Sequence, residues 1–504
     1  MSTTTHKILY KDLKISQFML GFHGVIKFWA RKPVELILNE VPMKIDVVAD
    51  PFCGSGTTGF VGLFGKSDQI YLSDLSSVSI FITSTLLSKV MLSEEIFTHF
   101  LDFCRDLENE TYTIGNYRVN YAVWMTVLEC PKCHAQLEIR SMPSEVECKR
   151  CSSKMAPRFF YFKEKLLSIS LEKNGDFIKT CDEKTLSEYM KQQDGLTSKY
   201  WYPEGKFSYP GSGIEFRNGP HRTLEIKEIF TKRNLYVVSR IYDEIEKIWK
   251  IDQKQGDVLK LAFIASLANA TKMIPHAKSS GPSWKIPRYW IPNIREERNF
   301  CKSFIRRLKV IKAFKERLLN FLRDYEVHTV YENPSIQYAE NGTNSKVVYV
   351  FKSDARDTYE ILPKCDFVVL DPPHYDQVDY YELHYLWQKW LYGKLGDERF
   401  SDFDYWKYEI SINNRVGHDF GYYEKSLSEI VSSYVKILRN HGRLVLILHN
   451  KDRTVLEKTV NKIKEGLHGV KIRSKVSWPR VTSSTQGIHG RRKFLHILRV
   501  DKIY

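Results

Sequence analysis

The chain has 504 residues, 43% of them hydrophobic, which is enough for two or three folding units with a sizeable core. Its 76 Lys and Arg outnumber its 60 Asp and Glu, and the net charge of +16 favours a polyanionic partner such as nucleic acid, although a generally basic proteome is an alternative. The absence of any membrane-length apolar run or signal-peptide core predicts a cytoplasmic protein with no membrane partner, whose nine cysteines are thiols or metal ligands.

The first predicted strand, at residues 45–49, runs into the loop DPFCGSGTT at 50–58. The two glycines of this loop predict a tight strand-to-helix turn that lets a ligand approach the backbone and the N–H groups of the next helix. A second strand at 69–72 is followed by Asp74, the position at which an acid binds ribose hydroxyls. The loop contains no Gly-Lys-Ser/Thr, so it predicts a nucleotide-like cofactor that is held without a phosphate grip.

After a predicted helix at 78–91, the alternation of strands and helices stops until residue 347. This insert contains Cys130-Pro-Lys-Cys133 and Cys148-Lys-Arg-Cys151, with fourteen residues between the two pairs. Each pair can present two thiolates in one knuckle, and two knuckles complete a tetrahedral zinc site. With all four positions filled, the zinc would be structural; four unrelated cysteines are the alternative.

Amphipathic helices are predicted at 223–249, 257–273 and 295–325. Between the last two, the segment AKSSGPSWKIPRYWIP at 277–292 interleaves basic and aromatic residues, which suits phosphate contacts with base stacking. An aromatic-rich loop packed on the core is an equal alternative. A second polar, basic loop, TSSTQGIHGRRK, lies at 482–493. The predicted nucleic-acid-binding residues of the two loops are Lys278, Lys285, Arg288, Trp290, Arg491 and Arg492.

The alternating pattern resumes with a strand at 347–351, which ends near Asp354, and a strand at 367–370, which runs into Asp371-Pro-Pro-His-Tyr375. The two prolines remove N–H groups and fix φ, so they predict an acceptor-rich cradle at the carboxyl edge of the sheet. Such a cradle suits the NH₂ group of a planar amide or nucleobase, on which the ring of His374 or Tyr375 could stack. The alternative is a strand that ends at prolines for structural reasons alone.

Two motifs at strand ends of one sheet predict neighbouring pockets for a cofactor and an amine. Methyl transfer from S-adenosylmethionine to an exocyclic amine needs this arrangement, because acceptors for the N–H groups hold the nitrogen and favour its pyramidal form. The sequence resembles the amino-methyltransferases that act on DNA bases and, more narrowly, the adenine-specific DNA methylases that contain a zinc ribbon. The stretches that carry this resemblance are HGVIKFWARKP (23–33), DPFCGSGTT, CPKC…CKRC, FTKRNL (230–235), DPPHYDQVDYYEL, LVLILHNKD (444–452) and TSSTQGIHGRRK.

The resemblance implies an α/β fold in which a Rossmann-like methyltransferase core, with a mostly parallel sheet, is interrupted by a large insert. The core would comprise 1–95 and 326–504, and the insert 96–325 would hold a zinc ribbon at about 126–155 and helices for target recognition. The implied cofactor-binding residues are Lys27, Asp50, Pro51, Phe52, Cys53, Gly54, Ser55, Gly56, Thr57, Thr58, Asp74, Leu75, Asp354 and Ala355. The implied catalytic residues are Asp371, Pro372, Pro373, His374 and Tyr375, and the metal ligands are Cys130, Cys133, Cys148 and Cys151.

The resemblance implies transfer to adenine N6 of double-stranded DNA, with the base flipped out of the duplex. The implied cofactors are S-adenosylmethionine and structural Zn²⁺. The alternatives are cytosine N4 of DNA, guanine N2 of RNA, and an inactive nucleic-acid-binding regulator. His374 stands where the family has Tyr, Phe or Trp, which leaves open whether His374 or Tyr375 stacks on the base. The recognition sequence, the oligomeric state and a partnership with a restriction or defence nuclease also stay open.

Overall fold

The computed structural model describes residues 13–139, 144–196, 199–207, 224–277, 281–282, 284, 289–331, 346–477 and 494–503. The chain divides into two compact units. Unit 1 comprises Met1–Lys89, Ala313–Gln388 and Asp397–Tyr504, and unit 2 comprises Val90–Lys312 and Lys389–Gly396. The chain therefore passes from unit 1 to unit 2 at 89/90 and returns at 312/313. The boundaries predicted from the sequence are 95/96 and 325/326.

The strands of the described ranges are β1 (Val47–Asp50), β2 (Gln69–Asp74), β3 (Thr113–Ile114), β4 (Tyr117–Glu129), β5 (Gln136–Glu138), β6 (Val146–Glu147), β7 (Lys154–Met155), β8 (Tyr161–Lys173), β9 (Asp176–Thr180), β10 (Ile294–Arg298), β11 (Tyr325–Val330), β12 (Lys346–Lys352), β13 (Cys365–Leu370), β14 (Leu438–Asn450), β15 (Val470–Ser477) and β16 (Phe494–Lys502). The α-helices are α1 (Leu13–Val25), α2 (Val34–Leu38), α3 (Thr57–Phe64), α4 (Ser77–Leu87), α5 (Glu94–Thr111), α6 (Glu183–Asp194), α7 (Lys232–Ile251), α8 (Gln253–Leu267), α9 (Phe300–Leu322), α10 (Ala355–Thr358), α11 (Tyr380–Tyr392), α12 (Phe420–Lys436) and α13 (Arg453–Glu465). No helix within these ranges combines the length and the apolar character needed to cross a membrane.

Unit 1 is built on an eight-stranded sheet with the order β11-β12-β2-β1-β13-β14-β16-β15. The strands from β11 to β14 pair in parallel, and β16 lies antiparallel between β14 and β15. The prediction of a mixed α/β fold with a mainly parallel sheet is therefore confirmed. The order reverses at β1, which pairs with β2 on one side and β13 on the other, and such a reversal opens a crevice at the carboxyl ends of the strands.

The central strands of this sheet are mostly apolar and almost wholly buried. Every residue of β1 is buried, and in β13 only Asp366 is partly exposed. Parallel strands covered on both faces show such continuous apolar runs because neither face meets water. A buried apolar cluster joins one face of the sheet to α12 and α13, with Leu427, Ile430 and Leu456 among its members. The same packing fixes the strand ends that carry the predicted motifs.

Unit 2 is built on antiparallel strands. Its main sheet has the path β10-β4-β8-β9, with β3 and β5 also paired to β4, and β6 pairs with β7 in a separate hairpin. Helix α7 begins after Thr231, whose side chain accepts a hydrogen bond from the backbone N–H of Asn234 and so caps the helix. The predicted helix at 223–249 thus lies within about ten residues of the observed one.

The prediction of a helix over the whole of 295–325 is wrong at its N-terminal end. Residues Ile294–Arg298 form β10, which pairs antiparallel with β4, and α9 begins only at Phe300. The inward-facing residues of β10 are Arg295 and Glu297, each only 2% exposed. Arg295 forms an ion pair with Glu164, and Glu297 forms one with the buried Arg233 at 3.2 Å. Because charged residues occupy the buried positions, the strand shows no alternation of apolar and polar residues.

Candidate functional site

A cavity lies in unit 1, among residues that follow the carboxyl ends of β1, β2, β12 and β13. It therefore occupies the crevice expected where the strand order reverses. The predicted site residues that line it are Asp50, Pro51, Phe52, Cys53, Gly54, Ser55, Thr57, Thr58, Asp74, Leu75, Asp354, Ala355, Asp371 and Pro373. The predicted residues that are described but do not line it are Lys27, Gly56, Pro372, His374 and Tyr375.

The loop after β1 is held from within by Asp50. One carboxylate oxygen of Asp50 accepts a hydrogen bond from the backbone N–H of Phe52 at 2.9 Å, and the other accepts one from the hydroxyl of Thr58. Gly56 caps α3 with a φ of 87°, a conformation that favours glycine. Burial raises the pKa of Asp50 to about 7. Asp50 thus fixes the shape of the loop and exposes the N-terminus of α3 to the cavity.

Asp74 joins the end of β2 to the same loop. Its carboxylate accepts hydrogen bonds from the backbone N–H of Gly54 at 3.0 Å and from that of Ser76 at 2.9 Å. Burial raises the pKa of Asp74 to about 6. A carboxylate has about four lone-pair sites, so Asp74 keeps acceptor capacity for hydroxyl groups in the cavity.

Asp354 occupies the corresponding position after β12. It caps α10 by accepting a hydrogen bond from the backbone N–H of Arg356 at 2.8 Å, and its second oxygen accepts one from the Arg356 guanidinium at 2.6 Å. Asp50, Asp74 and Asp354 therefore bring three carboxylates to the wall of one cavity, each oriented by backbone N–H groups.

Asp371 follows β13 and lies beside a lysine from the N-terminal part of the chain. The Nζ atom of Lys32 lies 2.9 Å from Oδ1 and 3.1 Å from Oδ2 of Asp371, and 2.6 Å from Nε2 of His374. Burial raises the pKa of Asp371, and the charge of Lys32 opposes that shift. The carbonyl of Pro373 accepts a hydrogen bond from the hydroxyl of Tyr423 at 2.9 Å, whereas no described group donates one to the carbonyl of Pro372.

The two rings predicted to stack on a base are both turned away from the cavity. His374 is 3% exposed and stacks on His449, with ring centroids 4.5 Å apart and planes 8° apart. Tyr375 is 2% exposed and belongs to the apolar core, where its hydroxyl donates to Thr459 at 3.1 Å. The structure therefore brings neither ring into the cavity, and base stacking by them stays a prediction.

The N-terminal segment supplies cavity residues that the sequence analysis missed. These residues, which lie within the HGVIKFWARKP stretch, are Phe28, Trp29, Ala30, Arg31 and Lys32. The Nε atom of Arg31 donates a hydrogen bond to the hydroxyl of Ser55 at 2.8 Å, so the segment is tied to the loop after β1. The stretch at 23–33 carries the signal for these residues, but the residue predicted from it, Lys27, does not line the cavity.

Residues around 405–410 form another part of the wall that was not predicted: Tyr405, Tyr408, Glu409 and Ile410, together with Tyr380 from α11. A carboxylate oxygen of Glu409 accepts a hydrogen bond from the backbone N–H of Tyr380 at 3.0 Å. Burial, with the nearby charge of Asp379, raises the pKa of Glu409, and burial raises that of Asp379 to about 6. This segment mixes acidic and aromatic residues without a regular period, so its sequence pattern does not indicate that Glu409 is buried.

The four predicted metal ligands of unit 2 come together. Their sulfur atoms all lie within 4.8 Å of one another, with Cys130 and Cys151 3.7 Å apart and Cys133 and Cys148 3.5 Å apart. For tetrahedral zinc with bonds of about 2.3 Å, sulfur atoms lie about 3.8 Å apart. The two knuckles have the same turn, since the backbone N–H of His134 donates to the carbonyl of Cys130 and that of Ser152 donates to the carbonyl of Cys148. The group could therefore hold a metal ion with no open position.

Most of the predicted nucleic-acid contacts cannot be placed. Lys278, Lys285, Arg288, Arg491 and Arg492 lie outside the described residues. Trp290 is described and partly buried within unit 2.

No protein-family model matches the sequence, and no curated protein matches it. Among solved structures, a precorrin-6y C5,15-methyltransferase from Geobacter metallireducens GS-15 matches with 12% identity over 38% of this chain and 74% of that one. The TM-score of 0.16 is too low for this likeness to carry an argument.

Proposed function

We propose that this protein transfers a methyl group from S-adenosylmethionine to an exocyclic amino group of a DNA base, adenine N6, after the base is flipped out of the duplex. The observation that carries the proposal is the convergence of two distant motifs on one cavity. The loop at 50–58 and the Asp371-Pro-Pro stretch are more than 300 residues apart, yet both line the same crevice. In a Rossmann-like core, this crevice is the ligand site.

The cavity walls fit the cofactor in two respects. Asp74, at the end of β2, has acceptor capacity for the ribose hydroxyls. Arg31, in the N-terminal segment that is bonded to the loop at 50–58, also lines the cavity. Its buried Nη2 atom has no hydrogen-bond partner among the described residues. An unpaired buried guanidinium N–H is costly, and the carboxylate of the methionine part would satisfy it. When bound, the cofactor supplies an electrophilic methyl group.

The residues after β13 would hold the amine. A carboxylate oxygen of Asp371, which lines the cavity, would accept an N–H of the amino group, which draws the nitrogen lone pair out of conjugation with the ring. Methyl transfer would form the N–C bond and break the C–S bond of the cofactor, and the carboxylate of Asp371 would take the proton that the nitrogen loses. The ionised carboxylate is a stronger acceptor than the neutral acid, so protonation of Asp371 at low pH would slow the reaction.

Unit 2 would bind the DNA substrate and would take no part in methyl transfer. In this proposal, Zn²⁺ held by the four cysteines stabilises the knuckles, because a four-thiolate site leaves no position for a reactant. Basic residues of the chain, whose net charge is +16, would contact the phosphate backbone. Unstacking the base costs a few kcal/mol, which such contacts would offset.

The test is methyl incorporation from labelled S-adenosylmethionine into duplex DNA and, separately, into RNA, followed by mass spectrometry of the nucleosides. We expect N6-methyladenine from DNA and no product from RNA. The variant Asp371→Ala should lose transfer by at least about 1000-fold, because it removes the amine acceptor, while cofactor affinity measured by calorimetry stays within about threefold.

Product on cytosine N4 or on RNA would replace the proposed substrate but keep the reaction. Near wild-type transfer by Asp371→Ala, or no binding of S-adenosylmethionine by the wild-type protein, would contradict the reaction itself.

A further inference from the structure

We infer that Lys32 is the positioning residue of Asp371, and that His374 stands in the catalytic motif to hold Lys32 rather than to stack on a base. This inference rests on the proposed function and adds two residues to its machinery. Lys32 reaches Asp371 from a position 339 residues earlier in the chain.

The ammonium group of Lys32 has three donors, and the surrounding acceptors account for all of them. One is directed at the carbonyl of Ala30 at 3.0 Å, one at the carboxylate of Asp371, and one at Nε2 of His374 at 2.6 Å. Lys32 is 4% exposed, so water does not compete for these donors. Because an ammonium only donates, Nε2 of His374 must accept, and the imidazole is neutral with its proton on Nδ1.

The backbone around Lys32 is fixed on both sides. Ala30 has a φ of 53°, and Pro33 caps α2 with a φ of −59° that its ring dictates. The neighbouring Arg31 is bound to Ser55 of the cofactor loop at 2.8 Å. The segment therefore delivers the lysine at a set position, and one short stretch contacts the residues proposed for both substrates.

The charge of Lys32 is needed to keep Asp371 ionised, because the other groups around this carboxyl do not favour its charged form. Besides Lys32, the groups that influence or face Asp371 are the neutral His374, the carboxyl of Asp50, and the hydroxyl-bearing rings of Tyr380 and Tyr423. Lys32 is the single cation among these described groups. Burial disfavours the ionised form of a carboxyl, and a second carboxyl nearby adds to that effect. Without Lys32, Asp371 would hold its proton to a higher pH and would be a weaker acceptor for an amine.

The lysine orients Asp371 without exhausting its acceptor capacity. A carboxylate has about four lone-pair sites, and Lys32 contacts one side of each oxygen. The Asp371 side chain remains 22% exposed and lines the cavity. An amine can therefore bind on the side of the carboxylate that faces the cavity.

The same contacts explain why an imidazole stands at position 374. The ring is buried flat against His449, a position that any planar aromatic ring could fill. Phe and Trp rings have no acceptor, and the acceptor of Tyr lies beyond the ring on its hydroxyl, whereas imidazole presents the ring atom Nε2 to Lys32. The histidine at position 374, in place of Tyr, Phe or Trp, is then explained by its hydrogen bond with Lys32 and not by contact with a base.

The experiment compares the pH dependence of kcat for methyl transfer in wild-type protein, Lys32→Met, Lys32→Arg and His374→Phe. Lys44→Met is the matched control, because Lys44 forms an exposed ion pair with Asp46 and does not line the cavity. We expect Lys32→Met to lower kcat at least tenfold at pH 7 and to move the acidic limb upward by about one pH unit, with KM for the cofactor within twofold. Lys32→Arg should restore part of the shift, and His374→Phe should show a smaller shift in the same direction.

A second measurement does not depend on activity. In protein labelled with ¹³C at the Asp carboxyl carbons, the Asp371 signal is assigned with Asp371→Asn, and its titration is followed in wild-type protein, Lys32→Met and His374→Phe. A pKa of Asp371 higher by about one unit in Lys32→Met supports the inference even if no amine substrate has been found. Equal Asp371 titrations in all three proteins, or an unchanged acidic limb in folded Lys32→Met, would overturn it. A wild-type protein that methylates no amine but shows the expected titrations would contradict the proposed function alone.

Discussion

Gly56, at the start of α3, gives a sharp test of the cofactor loop. Its φ of 87° strains any other residue by about 1–2 kcal/mol. A Cβ atom there would lie 3.0 Å from Cγ2 of Thr83, whose hydroxyl donates to the carbonyl of Gly54 at 2.9 Å. Moving Thr83 adds about 1–2 kcal/mol of overpacking, so Gly56→Ala should lower the free energy of unfolding by about 2–4 kcal/mol.

The loop distortion should also weaken the cofactor site, because Gly54 would lose its contact with Thr83. We expect the Kd for S-adenosylmethionine, measured by calorimetry, to rise at least tenfold, which is about 1.4 kcal/mol. The control is Gly469→Ala, where φ is 69° but a Cβ atom would meet no described atom within 4 Å. This variant should lose only the strain energy and keep its affinity. Equal affinity in the two variants would refute the assignment of the loop.

Three further predictions concern metal, charge and buried ion pairs. Cys148→Ser should lose the bound zinc, about one ion per chain by elemental analysis, and increase hydrogen exchange at 126–155 while cofactor affinity is kept; retained zinc would contradict this. The pKa values of Asp379 and Glu409 are raised in the folded protein, so the stability that these acids contribute falls as the pH rises through about 4 to 6 and beyond. The difference in melting temperature between Glu409→Gln and wild-type protein should therefore shift in favour of the variant between pH 4 and 8, and a constant difference would count against this. Arg233→Met should leave Glu297 as an unpaired buried charge and destabilise unit 2 by about 3–5 kcal/mol in urea unfolding, and a loss below about 1 kcal/mol would be inconsistent with that pair.

The sheet of unit 1 was predictable because its central strands are governed by one rule. Fully covered parallel strands need apolar residues at every position, and the runs before Asp50 and Asp371 have them. The acids predicted to form the site follow directly at the strand ends, so their meeting at one edge needed only the parallel arrangement. The strand β10 lacked such a signal because its buried positions hold Arg295 and Glu297.

Side-chain directions at the site were not predictable in the same way. The motif at 371–375 predicts a ring beside the amine, but the positive φ of Tyr375 and its hydroxyl bond to Thr459 place that ring in the core. The partner of Asp371 is Lys32, and its approach depends on long-range contacts that no local pattern encodes. Glu409 was missed for a similar reason, since an isolated acid in a polar segment normally indicates solvent exposure.

The central claim is that Asp371 holds an amino group against the methyl donor. It is tested most directly by single-turnover transfer of labelled methyl groups to duplex DNA by wild-type protein, Asp371→Asn and Asp371→Ala, with cofactor binding measured on the same preparations. We predict N6-methyladenine from wild-type protein, a residual rate from Asp371→Asn, whose amide oxygen still accepts, and no transfer above background from Asp371→Ala despite normal cofactor binding. Equal transfer rates for the three proteins, or wild-type protein that binds the cofactor and methylates no nucleobase amine, would contradict the claim.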